Sequence, residues 1–305
     1  MKLVISGIVF LACLFNGTKE GSARLLDRNC GISTIDDIEA HIHDGKITTI
    51  RENPWMVKIS TKNGLSISFV CSGILITTRL VLTAAHCIFF NDTYLHLGDY
   101  LIVDPEPDCT SGKCIPKAYN YRADMKFTHR NYKGRLSKFD IGMYRMEKEV
   151  TYSEYVRPIC LLVDDQILEA KKFNITGWGK TKQEQPVNRT LQTGTVYPLN
   201  SSFCDAKYST YTDRSQICVG SNSIGSCEGD SGGPLSSMMP YENTNRTFLY
   251  GLVSFGSDKC SKESGLSVLT NVTHYMKWIE NVIKASEIQY AGNGGFWHKI
   301  AEVAL

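Results

Sequence analysis

A glycine-rich hexapeptide, Gly-Asp-Ser-Gly-Gly-Pro at 229–234, constrains the fold and chemistry of this chain more than any other segment. Glycines on both sides of Ser231 predict a sharp, exposed turn that presents the serine hydroxyl. The backbone N–H groups of Gly229 and Ser231 can point at one spot, where the oxyanion of an acyl transfer would form. The glycines at 232 and 233 leave room for a second backbone to pass close by. The hexapeptide therefore predicts a nucleophilic serine with its own oxyanion hole.

Two further motifs supply the partners that such a serine requires. A hydroxyl is a weak nucleophile at neutral pH, so it needs a base within hydrogen-bond reach and a third group that holds the tautomer of the base. His86 lies in Thr-Ala-Ala-His-Cys at 83–87, and Asp140 lies in Phe-Asp-Ile-Gly at 139–142. Taken singly, His86 can be an ordinary half-buried histidine and Asp140 a structural carboxylate. The order of the three triad residues along the chain differs between unrelated folds, so the order His, Asp, Ser narrows the choice of fold.

With these three motifs at this spacing, the chain resembles the chymotrypsin/trypsin family of serine endopeptidases from about Ile42 to about Lys284. The resemblance implies an all-β fold of two six-stranded antiparallel β-barrels packed together, with the active site in their cleft and a C-terminal α-helix. It implies that Ser231 attacks the scissile carbonyl, that His86 carries the proton, and that Asp140 orients His86. No metal or other cofactor is expected.

The hydrophobic pattern independently favours an all-β chain. Short apolar runs broken by turn residues are typical of antiparallel barrels and sandwiches. Such runs occur at 55–59, 69–71, 73–76, 80–82, 248–253 and 267–269. Residues 273–284 instead carry apolar side chains at helical spacing, which predicts one amphipathic C-terminal helix.

The two ends of the chain divide it into segments. Residues 1–23 have a charged start, a short apolar stretch and small residues at the end, which is typical of a secretory signal peptide. Their apolar run is too short for a membrane span. We expect a secreted, extracellular monomer with a pro-segment at 24–41, a protease domain at 42–285 and a flexible extension at 286–305. A net charge of +2 argues against a nucleic-acid partner.

The cysteine count fits an oxidising compartment. Cys13 lies in the signal peptide, which leaves ten of the 11 cysteines. The sequence alone does not fix their pairing, and the absence of any Cys-x-x-Cys pair argues against zinc. The resemblance implies the pairs Cys71–Cys87, Cys204–Cys218, Cys227–Cys260 and Cys30–Cys160, the last of which tethers the pro-segment, and leaves Cys109 with Cys114.

The resemblance also locates a substrate pocket. Gly225 occupies the position at the base of the pocket where trypsin-like members carry aspartate, and Gly256 and Ser267 would form its walls. Residues 254–256, Ser-Phe-Gly, match the segment that pairs with the substrate as an added strand. Burying a substrate lysine without a counter-charge is costly, so we expect uncharged side chains to be preferred. A shift in register that lets another acid fill the pocket is the alternative.

The sequence around the predicted activation site departs from the pattern of the family. Family members are cut before an Ile-Val-Gly-Gly-like start, and the new amino group pairs with the aspartate before the nucleophile, here Asp230. The matching bond is His41–Ile42, which is not preceded by arginine or lysine. Cleavage at Lys46 would leave an arm that is too short. We therefore expect an activating protease that is not trypsin-like, or poor activation.

Several partners and modifications follow from this assignment. The Cys30 tether and the lead-in at 25–31 resemble insect extracellular proteases of defence cascades, which implies protein or peptide substrates and a protein inhibitor. Unusual residues at His41 and Asp44 favour the competing hypothesis of a non-catalytic homologue that acts as a binding cofactor or regulator. Acidic residues in the 99–108 loop match calcium ligands, although an ordinary solvated loop explains them better. Glycosylation acceptors occur at Asn91, Asn174, Asn188, Asn200, Asn245 and Asn271.

Overall fold

The computed structural model describes residues 24–34, 41–42, 45–101, 109–110, 113–114, 118–134, 136, 138–163, 169–179, 190–221, 229–256 and 265–287. The predicted signal peptide at 1–23, the predicted pocket base Gly225, the predicted pair Cys227–Cys260 and the segments 102–108 and 288–305 lie outside the described residues. No helix in the described ranges is both long enough and apolar enough to cross a membrane.

Strands dominate this described part of the chain. They are β1 His41–Ile42, β2 Gly45–Ile47, β3 Met56–Asn63, β4 Ser66–Leu75, β5 Leu80–Thr83, β6 Thr93–Leu97, β7 Cys109–Thr110, β8 Lys113–Cys114, β9 Tyr119–Thr128, β10 Gly142–Met146, β11 Phe173–Gly177, β12 Gln192–Pro198, β13 Gln216–Gly220, β14 Pro234–Tyr241, β15 Thr244–Gly256 and β16 Ser267–Asn271. The helices are α1 Ser201–Tyr208 and α2 Met276–Glu287. The runs predicted at 69–71 and 73–76 fall in one strand, β4, which ends at Leu75. A Cβ at Gly73 would meet Val81 of the neighbouring strand β5.

Six strands close the first barrel in the order β10-β5-β4-β3-β6-β9. Strand β6 shows why these residues form its wall: Thr93, Leu95 and Leu97 are buried, while the side chains between them are half-exposed. This alternation follows from the two-residue period of a strand. Val57, Ile59 and Leu75 from neighbouring strands fill the same interior.

The second barrel is built from β12-β11-β14-β15-β16-β13 and is closed by the pairing of β12 with β13. Its interior holds Phe173, Val196, Leu235, Val253 and Leu269. The β1–β2 hairpin is added to the outside of β12. The prediction of two six-stranded antiparallel barrels is thus confirmed.

A third apolar cluster joins the barrels. It contains the two largest fully buried side chains, Trp55 and Trp178, together with Leu82, Leu252 and Ile279. The indole Nε1 of Trp178 donates to the carbonyl of Tyr100, so the ring is buried with its polar atom paired. Residues of both barrels and of α2 share this cluster, which fixes the barrels against one another at the level of the cleft.

The C-terminal helix differs slightly from its prediction at 273–284. A 3₁₀ turn covers Val272–Tyr275, and the α-helix α2 follows it and continues to Glu287. Trp278, Ile279 and Val282 form its buried face. Ser286 is buried too, and its hydroxyl donates to the carbonyl of Ile283. Ser286 and Glu287 therefore belong to the helix and not to a flexible extension.

Residues 24–34 pack on the body of the molecule, although no packing was predicted for them. Leu26 donates to the carbonyl of Leu161, and Gly31 both donates to Pro158 and accepts from Thr247. The guanidinium of Arg246 donates to the carbonyl of Cys30 at 2.8 Å. This amino-terminal segment packs against the connection at 158–163 and against Thr247 of β15 in the second barrel.

Disulfide bonds join Cys30 to Cys160, Cys71 to Cys87, and Cys204 to Cys218, as the resemblance implied. The first of these ties the amino-terminal segment to the body across 130 residues of sequence. Cys109 and Cys114 are paired in the backbone register of β7 with β8.

Gly31 provides a test of how tightly the amino-terminal segment is held. Its φ is +66°, and a Cβ there would lie 2.7 Å from the sulfur of Cys160 and 2.7 Å from the carbonyl of Thr247. Gly64 has a similar φ of +62° but open space around it. We expect Gly64→Ala to cost about 1–2 kcal/mol for its backbone conformation alone. Gly31→Ala should cost about 1–3 kcal/mol more because it also overpacks.

Thermal unfolding of the two variants and of the unaltered chain measures this difference. For a chain of this size the extra cost corresponds to a further fall of about 2–4 °C in melting temperature per kcal/mol. Equal losses in the two variants would contradict the tight packing of the segment.

Candidate active site

His86 sits on a short 3₁₀ turn, Ala85–Cys87, directly after β5. The disulfide from Cys87 to Cys71 fixes one side of this turn to β4. The buried hydroxyl of Tyr144 donates to the carbonyl of Cys87 at 2.7 Å and accepts from the N–H of Phe89 at 2.9 Å. The histidine is therefore mounted on a turn that is held from two neighbouring strands.

A lysine holds the loop that follows. The ammonium of Lys126, on β9, donates to the carbonyls of Phe89 and Asn91 and to the hydroxyl of Thr93. Its burial lowers the pKa of Lys126 to about 8. The chain on both sides of Cys87 is thus anchored to the first barrel, although no sequence motif singled out Tyr144 or Lys126.

Asp140, in the connection from β9 to β10, is almost completely buried beside His86. Its Oδ1 accepts from the backbone N–H of His86 at 3.0 Å, and its Oδ2 lies 2.8 Å from Nδ1 of the same residue. A carboxylate can only accept, so Nδ1 carries the proton and Nε2 is left with its lone pair. The arrangement produces an imidazole whose free nitrogen can act as a base.

The second barrel supplies further partners of Asp140. The hydroxyl of Ser254 donates to Oδ2 of Asp140 at 2.6 Å, and the hydroxyl of Thr270 donates to its carbonyl at 2.8 Å. The sequence predicted Ser254 only as part of the substrate-pairing strand. Its contact with Asp140 was missed because the two residues are 114 positions apart.

Ser231 lies on a tight turn whose glycines adopt left-handed conformations, with φ of +102° at Gly229 and +76° at Gly232. This turn docks on the first barrel. The N–H of Ser72 donates to the carbonyl of Ser231 at 2.9 Å, and the hydroxyl of Ser72 donates to the carbonyl of Gly229 at 3.0 Å. A Cβ at Gly232 would collide with the hydroxyl of Thr83, three residues before His86. The structure therefore brings the serine turn to the barrel edge that carries the histidine.

The predicted oxyanion donors are on the same turn. In the described part of the chain, no carbonyl accepts from the N–H of Gly229 or Ser231. The next N–H groups are occupied, because Gly232 donates to Val253 and Gly233 donates to Asp230. The two predicted oxyanion donors thus lie on the turn that carries Ser231.

Asp230 points away from the serine into a cradle formed by the Gly-Trp-Gly turn at 177–179. Its Oδ1 accepts from the N–H of Gly179 at 2.8 Å. A Cβ on either Gly177 or Gly179 would collide with the carboxylate. These two glycines are required because the carboxylate fills the space that their side chains would need.

Four of the predicted substrate-binding residues are described, and they lie together at the end of β15 and the start of β16. Gly256 pairs with Ser267 in the register of these strands, so the two predicted pocket walls are neighbours. The ring of Phe255 packs edge-on against Tyr208, with centroids 5.5 Å apart. Tyr208 in turn donates to the carbonyl of Leu266 at 2.7 Å.

Metal-ligating residue types near the site do not form a metal centre. Cys71, His86 and Cys87 lie within 4.8 Å of one another, but the two sulfur atoms are joined in a disulfide and offer no thiolate. Asp99, at the start of the loop considered for calcium, is fully buried and forms an ion pair with Lys58. It therefore belongs neither to a solvated loop nor to an open calcium site, because its charge is compensated within the protein.

Comparisons with known proteins agree with this geometry. The family profile described as Trypsin matches residues 42–279. The chain is similar to Melanization protease 1 of Drosophila melanogaster, with 33% identity over 88% of this chain and 71% of the relative. It is also similar to Serine protease grass of the same organism, with 30% identity over 82% of this chain and 69% of the relative.

A solved structure extends the similarity to the fold. The crystal structure of the Drosophila Grass clip serine protease of the Toll pathway aligns with a TM-score of 0.72 and 27% identity, covering 86% of this chain and 77% of that one. The profile match spans both barrels, the His86–Asp140 pair and the Ser231 turn, and the chain therefore belongs to the trypsin family of serine proteases.

Proposed function

We propose that the chain is the precursor of a secreted serine endopeptidase that hydrolyses peptide bonds through an acyl-enzyme. The observation that carries the proposal is the carboxylate of Asp140, which binds His86 at its N–H and at Nδ1 while the Ser231 turn docks on the same barrel edge. The names of the two Drosophila relatives support protein substrates within an extracellular proteolytic or immune cascade.

Each group has one role in the proposed reaction. The hydroxyl of Ser231 attacks the scissile carbonyl as its proton passes to Nε2 of His86, and the N–H groups of Gly229 and Ser231 stabilise the oxyanion. His86 then protonates the leaving amine, and water releases the acyl group by the reverse sequence. Asp140 holds the imidazole and stabilises its protonated form, and Ser254 keeps the carboxylate in place. As a trypsin-family protease, the protein needs no cofactor.

A fluorophosphonate probe tests the nucleophile. We expect the cleaved protein to be labelled on Ser231 and Ser231→Ala to lose labelling entirely, since Ser231 is the hydroxyl that His86 is proposed to activate. Ser237→Ala, on the same barrel in β14, is the matched control and should label at the unaltered rate. Undiminished labelling of Ser231→Ala would refute the assignment. Absence of labelling in the cleaved, unaltered protein would favour the non-catalytic alternative.

Specificity is proposed to be non-tryptic, with a preference for uncharged side chains. The proposal depends on glycine at 225, because no charge at that position can compensate a buried substrate cation. The described walls of the pocket, Gly256 and Ser267, add no charge. Digestion of a peptide library by the cleaved protein should give cuts after uncharged residues. Cuts mostly after arginine or lysine would contradict this proposal.

Activation is proposed to follow cleavage between His41 and Ile42, at the end of the segment 24–41 that the Cys30 disulfide retains. In the intact chain, Ile42 pairs with Gly45 in the β1–β2 hairpin. Cleavage would free its amino group to reach Asp230, whose carboxylate is already held by Gly179. Breaking a buried ion pair of this kind costs about 3–5 kcal/mol. The activator is proposed to be a protease that does not require arginine or lysine.

Two measurements test this activation step. N-terminal sequencing of the active form should give Ile42 as the first residue of the new chain, and any other start would contradict the proposal. Gly179→Ala should lower the labelling rate of the cleaved protein by about a hundredfold, because its Cβ displaces Asp230 and thereby disturbs an oxyanion donor.

Gly220→Ala is the matched control for this substitution. Its nearest neighbour is the mobile end of the half-exposed Leu199 side chain, at 2.6 Å, which can move aside. We expect it to label within about threefold of the unaltered protein, since neither oxyanion donor is touched. Equal loss in both variants would show that the Asp230 cradle has no special role.

A further inference from the structure

Phe139, directly before Asp140, adopts a backbone conformation that its side chain disfavours. Its φ is +64°, in the left-handed region that bulky residues rarely occupy. The chain then turns so sharply that the N–H of Ile141 donates to the carbonyl of Phe139 at 2.8 Å. Asp140 lies at the centre of this turn. The direction in which its carboxylate leaves the backbone therefore depends on the conformation of Phe139.

Two rings pack against this strained residue, and a third packs against one of these two. The ring of Phe139 stacks on the imidazole of His129, with centroids 4.7 Å apart and planes inclined by 23°. Tyr275 packs edge-on against Phe139 at 6.2 Å, and its hydroxyl accepts from the N–H of Phe139 at 3.2 Å. His129 also contacts Tyr275 and Trp278. We call His129, Phe139, Tyr275 and Trp278 the aromatic clamp.

The clamp joins three parts of the fold. His129 follows β9, Tyr275 ends the 3₁₀ turn after β16, and Trp278 lies on α2. Burial lowers the pKa of His129, and the nearby charges of Arg130 and His274 lower it further, so its ring is neutral at physiological pH. A neutral imidazole stacks on Phe139 without the cost of burying a charge.

The other polar contacts near Asp140 do not determine the backbone conformation of Phe139. Ser254 and Thr270 bind its carboxylate and its carbonyl, and the ammonium of Lys138 lies 2.7 Å from the carboxylate of Asp213. None of these contacts fixes φ of residue 139. The ring of Phe139 is only partly buried, and it packs against His129 and Tyr275. Strain that persists beside a functional group points to a constraint imposed there.

We propose that the aromatic clamp is a positioning device, in which the rings around Phe139 hold its left-handed backbone and thereby aim the carboxylate of Asp140 at Nδ1 of His86. Phe139, His129 and Tyr275 are positioning residues, since none of them touches the reacting atoms. The catalytic consequence rests on the proposed function, whereas the effect on the His86–Asp140 hydrogen bond does not.

Substitutions at residue 139 separate the ring from the backbone. Phe139→Ala removes the ring and leaves a residue that disfavours a positive φ. Phe139→Asn also removes the ring, but asparagine adopts this conformation readily. Tyr275→Phe keeps the packing and removes the hydroxyl acceptor. Phe203→Ala, which removes an exposed ring on α1, is the control for loss of an aromatic side chain.

The first readout is the proton NMR signal of the His86 Nδ1–H in the uncleaved chain, which requires no turnover. We expect a sharp downfield signal in the unaltered chain, in Phe139→Asn and in Phe203→Ala. Phe139→Ala should lose or broaden it, and Tyr275→Phe should weaken it. The clamp is overturned if Phe139→Ala keeps the signal unchanged, or if Phe139→Asn loses it as fully as alanine does.

The second readout is kcat against KM on a peptide substrate after cleavage. A misaimed base should lower kcat on the order of a hundredfold in Phe139→Ala with little change in KM, and Phe139→Asn should recover most of the loss. Should the cleaved, unaltered protein prove inactive, the proposed function fails while the NMR signal still decides the clamp. Should Phe139→Ala fail to fold, the comparison of Tyr275→Phe with Phe139→Asn decides it in the same way.

Discussion

The rest of the site depends on the hydrogen bonds that the carboxylate of Asp140 accepts. This carboxylate lies on a connection of the first barrel, yet it accepts from His86 of that barrel and from Ser254 of the second. Because the group is almost completely buried, its negative charge is stabilised only while these donors stay in place. Any relative movement of the barrels would separate the donors. The carboxylate therefore fixes the tautomer of His86 and the alignment of the two barrels together.

The serine turn makes the reciprocal connection. It belongs to the second barrel, but Ser72 of the first barrel binds the carbonyls of Ser231 and Gly229. Each barrel thus carries part of the site and is held by polar groups of the other. The apolar cluster around Trp55 and Trp178 stabilises the packing of one barrel on the other. The hydrogen bonds between the barrels orient the side chains of the site. This division explains how His86 and Asp140 are held together, and how the Ser231 turn docks on the first barrel, although these residues are far apart in sequence.

The sequence predicted the elements whose signal is local. The hexapeptide around Ser231, the motif around His86 and the alternating strands are each contained in a few residues, and the fold agrees with them. Contacts between distant segments gave no such signal: Ser254 on Asp140, Lys126 on the loop after His86, and the packed segment 24–34 all depend on tertiary structure. The predicted end of the C-terminal helix, Lys284, was wrong by three residues. The helix continues to Glu287 because Ser286 is buried against the body of the molecule.

A crystal structure of the protein after cleavage at His41–Ile42 would show whether Asp140, His86 and Ser231 form a catalytic triad. We expect Nε2 of His86 to lie within hydrogen-bond reach of the Ser231 hydroxyl, at about 2.6–3.2 Å, with Asp140 still bound to Nδ1 and to Ser254. An imidazole turned away from Ser231, or an Asp140 carboxylate that has left the seam between the barrels, would contradict it.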